Sequence, residues 1–403
     1  MRLFRRLSAA TLLLGFTACG SEAQQNASHM VVSSDPELAE LAARLLPDLA
    51  ARSGLELREP VRLEKRSRGQ LVGYLEAKLD EELPEDEARA MVETYALLGL
   101  VPEDLDLRAV LLALYTEQVA GFYDPDSTAL FVMDDQPREA LEGLLVHELV
   151  HAVQDQTADL DALTDPGLGN DRATAAQAAI EGHATLVMLE YMTEQMSGVA
   201  VDLGSIPDFA SQLRPALEGM RAQFPALASA PRVIQESLLF PYLEGAGFVQ
   251  SLWVGGERVA PFGERLPLST EQVITGDAGD PPVELELTFE GGRVVYENVL
   301  GRLELGVMVD EHLADSGAEL AEGWGGDRFA LVEGPAGRGL IWYVLWDDPG
   351  ARDRFAAGLE RAFDRLGGEA RLERTEVAGH PAALIRIGNT EGVTAGARAK
   401  SMP

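Results

Sequence analysis

The chain has 403 residues, 46% of them hydrophobic and 25% charged, which leaves room for two or three ordinary domains and no case for wholesale disorder or a multi-span membrane protein. Its 66 acidic residues against 33 basic ones give a net charge of -33, which repels phosphates and anionic headgroups and argues against a nucleic-acid partner. The single cysteine, Cys19, excludes an internal disulfide framework.

Met1 to Arg6 is basic, Leu7 to Thr17 is a short apolar run, and Ala18-Cys19-Gly20 follows. That order looks like a bacterial lipoprotein signal, with Phe16 departing from the usual Leu of the lipobox. The reading makes residues 1–18 a signal peptide and Cys19 a lipid anchor in the cell envelope, outside the cytoplasmic membrane. The apolar run is too short, and too charged at its flanks, to be a membrane span. Residues 19–34 are small and polar and suit a flexible tether.

Residues 35–282 read as a mainly helical domain. Leu38, Leu41, Leu45 and Leu49 recur at helical spacing, and further helical runs cover Leu71 to Leu79, Ala88 to Leu98 and Leu105 to Val119. Gly121 to Ser127 carries turn residues, and Thr128 to Met133 reads as a strand. A helix begins after Asp135, which can cap it, has Pro137 near its first turn, and runs to about Gln156. A second long helix opens near Asn170-Asp171 and continues to about Met196. Residues 207 to 253 are mostly helical, with Pro225, Pro231 and Pro241 as breaks or kinks, and Gly255 to Pro282 forms loops.

Residues 283–390 change texture. Val283 to Phe289 alternates like a strand, Val307 to His312 is helical, Arg328 to Glu333 and Gly339 to Trp346 form a hairpin pair, and Ala351 to Leu366 is helical. Ala370 to Glu376 and Ala382 to Ile387 add two strands, making a small α+β domain. Residues 391–403 read as a disordered tail. The expected fold class is α+β.

The chemistry concentrates on the two central helices. His147 and His151 in Leu144-Leu145-Val146-His147-Glu148-Leu149-Val150-His151 are four residues apart, so on a helix they converge on one metal ion. Glu148 stands beside them. Zinc polarises water, and a carboxylate directly after the first ligand is placed to take the water's proton and pass it to a leaving amine. Leu144, Leu145, Leu149, Val150 and Val153 make the rest of the helix apolar, so these polar groups are buried and would be costly without a metal or hydrogen bonds.

A catalytic zinc keeps three protein ligands and one open position. The third ligand is sought in Ile180-Glu181-Gly182-His183-Ala184-Thr185 on the second long helix, where Glu181 and His183 point to different faces and only one can reach the metal. The small residues Ala178, Gly182, Ala184 and Thr185 would let this helix approach the first closely. Asp155, one turn after His151, can orient an imidazole or simply end the helix in solvent.

A metal-binding helix followed by a second helix whose Glu completes the site resembles the gluzincin metallopeptidases. The resemblance implies His147, His151 and Glu181 as zinc ligands and Glu148 as the general base. Gln118 to Pro125, His147 to Gln156, Glu181 to Thr185, Leu268-Ser269-Thr270-Glu271-Gln272 and Gly323-Trp324-Gly325-Gly326-Asp327-Arg328 are together similar to a group of bacterial secreted or lipid-anchored proteins with this signature. The resemblance spans about residues 90 to 360 and implies a zincin-like domain. Thr185 stands where gluzincins often place an acidic residue.

In zincins the strand before the metal helix is an edge strand that pairs with extended substrate; on its residues alone, Thr128 to Met133 is equally an interior strand. Tyr242 or Tyr123 is a candidate oxyanion donor, and both also fit packing roles. The expected function is zinc-dependent cleavage of peptides or proteins outside the cytoplasm. The alternatives are an envelope lipoprotein using a degenerate zincin fold to bind a partner, and metal-dependent hydrolysis of a non-peptide bond.

Overall fold

The computed structural model describes residues 28–206, 224–314 and 316–400, together with 212, 214, 215 and 219. The signal peptide, Cys19 and the first part of the tether lie outside the described residues. The first sheet contains β1 (Val31–Ser33), β2 (Val61–Arg66), β3 (Gly121–Asp124) and β4 (Ala129–Met133), in the order β1-β2-β4-β3. β1 runs parallel to β2 and β2 parallel to β4, while β3 and β4 form an antiparallel hairpin. Three expectations are corrected here. The tether of residues 19–34 includes a paired strand, the turn-rich stretch from Gly121 contains β3, and the strand before the metal helix is central, with β3 at the edge.

β4 lacks alternation because both its faces are buried. Leu130 and Val132 point into one core, with α1 (Pro36–Ser53) and the long helices below; Ala129, Phe131 and Met133 point into another. Helices α2 (Arg68–Glu82), α3 (Glu85–Leu97) and α4 (Leu107–Gln118) pack on the second face. They lie where the leucine spacing places them. α5 (Arg138–Asp155) and α6 (Asn170–Ser197) match the two predicted long helices. Asp135 does not cap α5: it pairs with Arg68, and Pro137 occupies the cap position with no side-chain bond. In α7 (Arg232–Leu252), Pro231 precedes the first turn and Pro241 is carried inside the helix.

The C-terminal region holds β5 (Leu285–Glu290), β6 (Arg293–Asn298), α8 (Gly301–Leu313), β7 (Trp324–Gly334), β8 (Gly337–Trp346), α9 (Pro349–Glu360), β9 (Ala370–Val377), β10 (His380–Gly388) and β11 (Thr394–Ala399). Its main sheet has the order β6-β7-β8-β10-β9, and β11 pairs antiparallel with β5, Thr394 opposite Glu290 through Ala399 opposite Leu285. Residues 394–399 are therefore a strand and not part of a disordered tail. Their small side chains carry little strand signal, and the partner lies about a hundred residues away in the sequence. The chain is mixed α+β, as expected. Its second core runs through the expected boundary at residue 282: Leu75, Tyr95 and Leu111 belong to the same buried cluster as Met308, Trp342 and Phe355. No helix among the described residues is long and apolar enough to cross a membrane.

Candidate metal centre

α5 is buried almost all round, from Leu141 to Gln154, because it lies between the first sheet and α6. Within it, His147 and His151 fall on one face. α6 crosses this face and adds Glu181. His147 Nε2 lies 3.0 Å from His151 Nε2 and 3.1 Å from Glu181 Oε2, and His151 Nε2 lies 3.4 Å from the same oxygen. Among the described residues, this is the one cluster of His, Cys, Asp or Glu that could hold a metal ion.

These separations fit a bound metal ion. Ligands about 2.0 to 2.1 Å from a tetrahedral zinc stand about 3.3 Å apart, close to all three separations. Two imidazoles and one carboxylate are also a donor set that zinc accepts. His147, Glu148, His151 and Glu181 are 1%, 0%, 2% and 0% exposed. Their electrostatics are those of a buried cluster whose rings and carboxylate support one another. Burial works against a charged His151, yet the Glu181 carboxylate beside it lifts its pKa above the ordinary value. Burial likewise opposes the Glu181 charge, and the His151 and His147 rings overcome it and hold the carboxyl well below its usual range. His147 is pushed down, chiefly by burial.

Glu148 is on the same helix and turned toward the sheet. Met133 N–H donates to Ala120 O and Gly121 stands opposite Val132, so the backbone groups of Gly121 and Tyr123 point to the outer edge of β3. There Tyr123 N–H donates to Glu148 Oε2 at 2.9 Å. Glu148 Oε1 is buried and has no protein partner. Burial pushes this carboxyl up to about 8.

Of the two candidates on α6, Glu181 joins the histidines and His183 does not. The His183 ring lies edge-on to Trp253 and Phe262, bonds Gln154 and the Ser53 carbonyl, and is driven down to about 4 by burial. Gly182 does lie at a tight crossing, but with α7 and not with α5. A methyl group there would sit on the Gly245 carbonyl and 2.6 Å from Ala246 N, and one at Gly245 would meet the Ala178 backbone. The small residues therefore seat α6 against α7, and that contact fixes how far Glu181 extends toward α5.

Asp155 does not orient an imidazole. It accepts from Tyr123 Oη at 2.8 Å and from Leu160 N, tying the edge strand to the end of α5. The residue that touches His151 is Gln154, whose Oε1 lies 2.8 Å from Nδ1. Sequence reasoning passed over it, although a glutamine three residues after His151 in an apolar helix is the available signal. Gln177 is also new: its Nε2 donates to Glu181 Oε1 at 2.6 Å. Of the two tyrosines, Tyr123 is engaged with Asp155, while the ring of Tyr242 lies 6.2 Å from that of His147. Thr185 is buried with no partner for its hydroxyl.

The two motifs outside the centre both reach the start of α8, where Leu303 N–H donates to Thr270 Oγ1 and the first amides turn to Asp327. Asp327 accepts from the amides of Leu300 and Gly301 and from the indoles of Trp324 and Trp342, and Thr270 donates to Asp171 at the start of α6. They anchor α6 and α8 and bring no side chain to the metal centre. The sequence model of one family, described as a domain of unknown function (DUF8575), matches residues 288–396, the region of the C-terminal sheets. No curated protein and no solved structure matches the chain.

Proposed function

We propose that the chain is a zinc-dependent peptidase of gluzincin type, with a zincin-like helical region, acting on peptides or proteins outside the cytoplasm. The observation that carries this reading is the triangle of His147, His151 and Glu181 atoms 3.0 to 3.4 Å apart, with Glu148 next in the chain and held by an edge strand. When bound, zinc supplies the positive charge that polarises water and a scissile carbonyl. Glu148, held through Oε2, has Oε1 to receive a proton from water and pass it to the leaving nitrogen. Gly121 presents both its backbone groups and Tyr123 its carbonyl along the outer edge of β3, where an extended peptide would add as a strand. Tyr242 is the candidate donor to the developing oxyanion. The basic and apolar stretch ending at Cys19 supports an envelope location with a lipid anchor.

The second reading is a metal-stabilised binding module of the envelope. Complete burial of all four residues favours it, because a substrate reaches the centre only after the covering elements part. Glu148 separates the two, since a binding module needs no free carboxylate there. The test is metal analysis and a peptide-library digest with the wild type and Glu148→Gln. We expect both proteins to hold zinc and only the wild type to cleave. A wild type that holds zinc and cleaves nothing the variant spares overturns the peptidase reading.

A further inference from the structure

We infer that Gln154 is the positioning residue of His151, and that two backbone carbonyls set the direction of its amide. Gln154 is fully buried one turn after His151. Its Nε2 lies 3.0 Å from the Ile180 carbonyl and 3.0 Å from His183 Nδ1. A carbonyl only accepts, so the atom facing Ile180 is the NH2 group and the atom facing His151 is the amide oxygen. That oxygen also only accepts. His151 therefore carries a hydrogen on Nδ1, which makes Nε2, the nitrogen aimed at His147 and Glu181, its ligand atom.

The far end of the chain gives the same answer independently. His183 Nε2 lies 3.0 Å from the Ser53 carbonyl and must donate to it, so the neutral ring presents a bare Nδ1 to the second N–H of Gln154. One arrangement satisfies all four links, and it runs from α1 through α6 to the metal face of α5. Glu181 is supported in the same manner. The Gln177 amide takes Oε1 and leaves Oε2 toward the imidazoles. Both supports are neutral amides, so they orient the ligands and add no charge to a site that already holds Glu148 and Glu181.

The role assigned to Gln154 rests on the metal reading, whereas the positions of the hydrogens do not. The experiment uses the full chain labelled with 15N-histidine, with and without zinc, and long-range 1H–15N correlation. We expect His183 to be protonated on Nε2 and bare on Nδ1, and His151 to keep its Nδ1 hydrogen in both states. Gln154→Glu keeps the acceptor toward His151 and removes the donors, so His183 should gain a hydrogen on Nδ1 beside the one that the Ser53 carbonyl holds on Nε2, while zinc affinity stays within a few-fold of wild type. Gln154→Met removes the acceptor, and zinc affinity by chelator competition should fall by roughly 10 to 100-fold.

A wild-type His183 protonated on Nδ1, or Gln154→Met with wild-type zinc affinity, overturns the inference. If Gln154→Met does not fold, the His183 spectrum of Gln154→Glu decides. A wild type that binds no zinc removes the metal reading, and the histidine spectra of the zinc-free protein still test the relay.

Discussion

The crossing of α6 and α7 makes one substitution produce opposite effects at two sites. At Gly182 an added methyl meets backbone only, the Gly245 carbonyl and Ala246 N at 2.6 Å, so no side-chain rotation relieves it and the helices must part by roughly 1 Å or more to reach ordinary contact. Overpacking of this kind costs about 1 to 3 kcal/mol, against about 1 kcal/mol gained by replacing glycine in a helix. Gly73 lies on the exposed face of α2 with nothing within 4 Å of an added methyl. There the helix preference stands alone, and Gly73→Ala should stabilise by about 0.5 to 1 kcal/mol.

Unfolding entropy scales with length, so 1 kcal/mol corresponds to on the order of 1 °C in a chain of this size, and urea midpoints are the better assay. Gly182→Ala should lower the midpoint and weaken zinc binding, because it moves the residue next to Glu181. Gly73→Ala should raise the midpoint and leave zinc binding unchanged. A Gly182→Ala midpoint at or above wild type would refute the close crossing as the element that sets the reach of Glu181.

Glu181→Ala should cut zinc affinity by more than about 100-fold, since it removes a ligand, while His183→Ala should keep zinc and lose mainly stability; equilibrium dialysis of both variants checks this, and the reverse order would exchange their roles. Asp171 is buried beneath Thr270, and burial pushes its pKa up to about 7, so the folded state holds this proton longer than the unfolded chain does. Its contribution is full below pH ~4 and is lost as pH rises through about 7, a swing on the order of a few kcal/mol. Asp171→Asn should therefore match wild type near pH 4 and exceed it above pH 7 in urea midpoint; parallel pH curves would contradict this. Removing residues 394–400 strips β11 from β5 and the Ala395 carbonyl from Tyr343 Oη, and should make β5 sensitive to limited proteolysis, whereas a truly disordered tail would be removed without effect.

The histidine pair, Glu148 and both long helices were legible because each depends on periodicity within one segment. Residues at i and i+4 share a face wherever the helix lies, and an apolar surround on all sides of α5 meant burial before any partner was known. The β7–β8 hairpin and the leucine faces of α1 to α4 follow from the same short-range logic. The choice between Glu181 and His183 could not be reached in this way. They are two residues apart, and which one faces α5 depends on how α6 is rotated and seated, a matter settled by Gly182 against Gly245 on a third helix. Gln154 acquires its role only once Ile180 and His183 stand opposite it.

The sheet shows the same division. Thr128 to Met133 was plainly a strand, but its central place depends on a parallel partner, Val61–Arg66, more than sixty residues earlier, and its edge on β3, whose Gly121 and Asp124 read as turn residues. Residues 394–399 became a strand by the same kind of distant pairing. Sequence determined which side chains could do chemistry, because local geometry fixes their spacing. Tertiary structure alone decided which of them meet, because pairing and helix crossing depend on surfaces that no single segment contains.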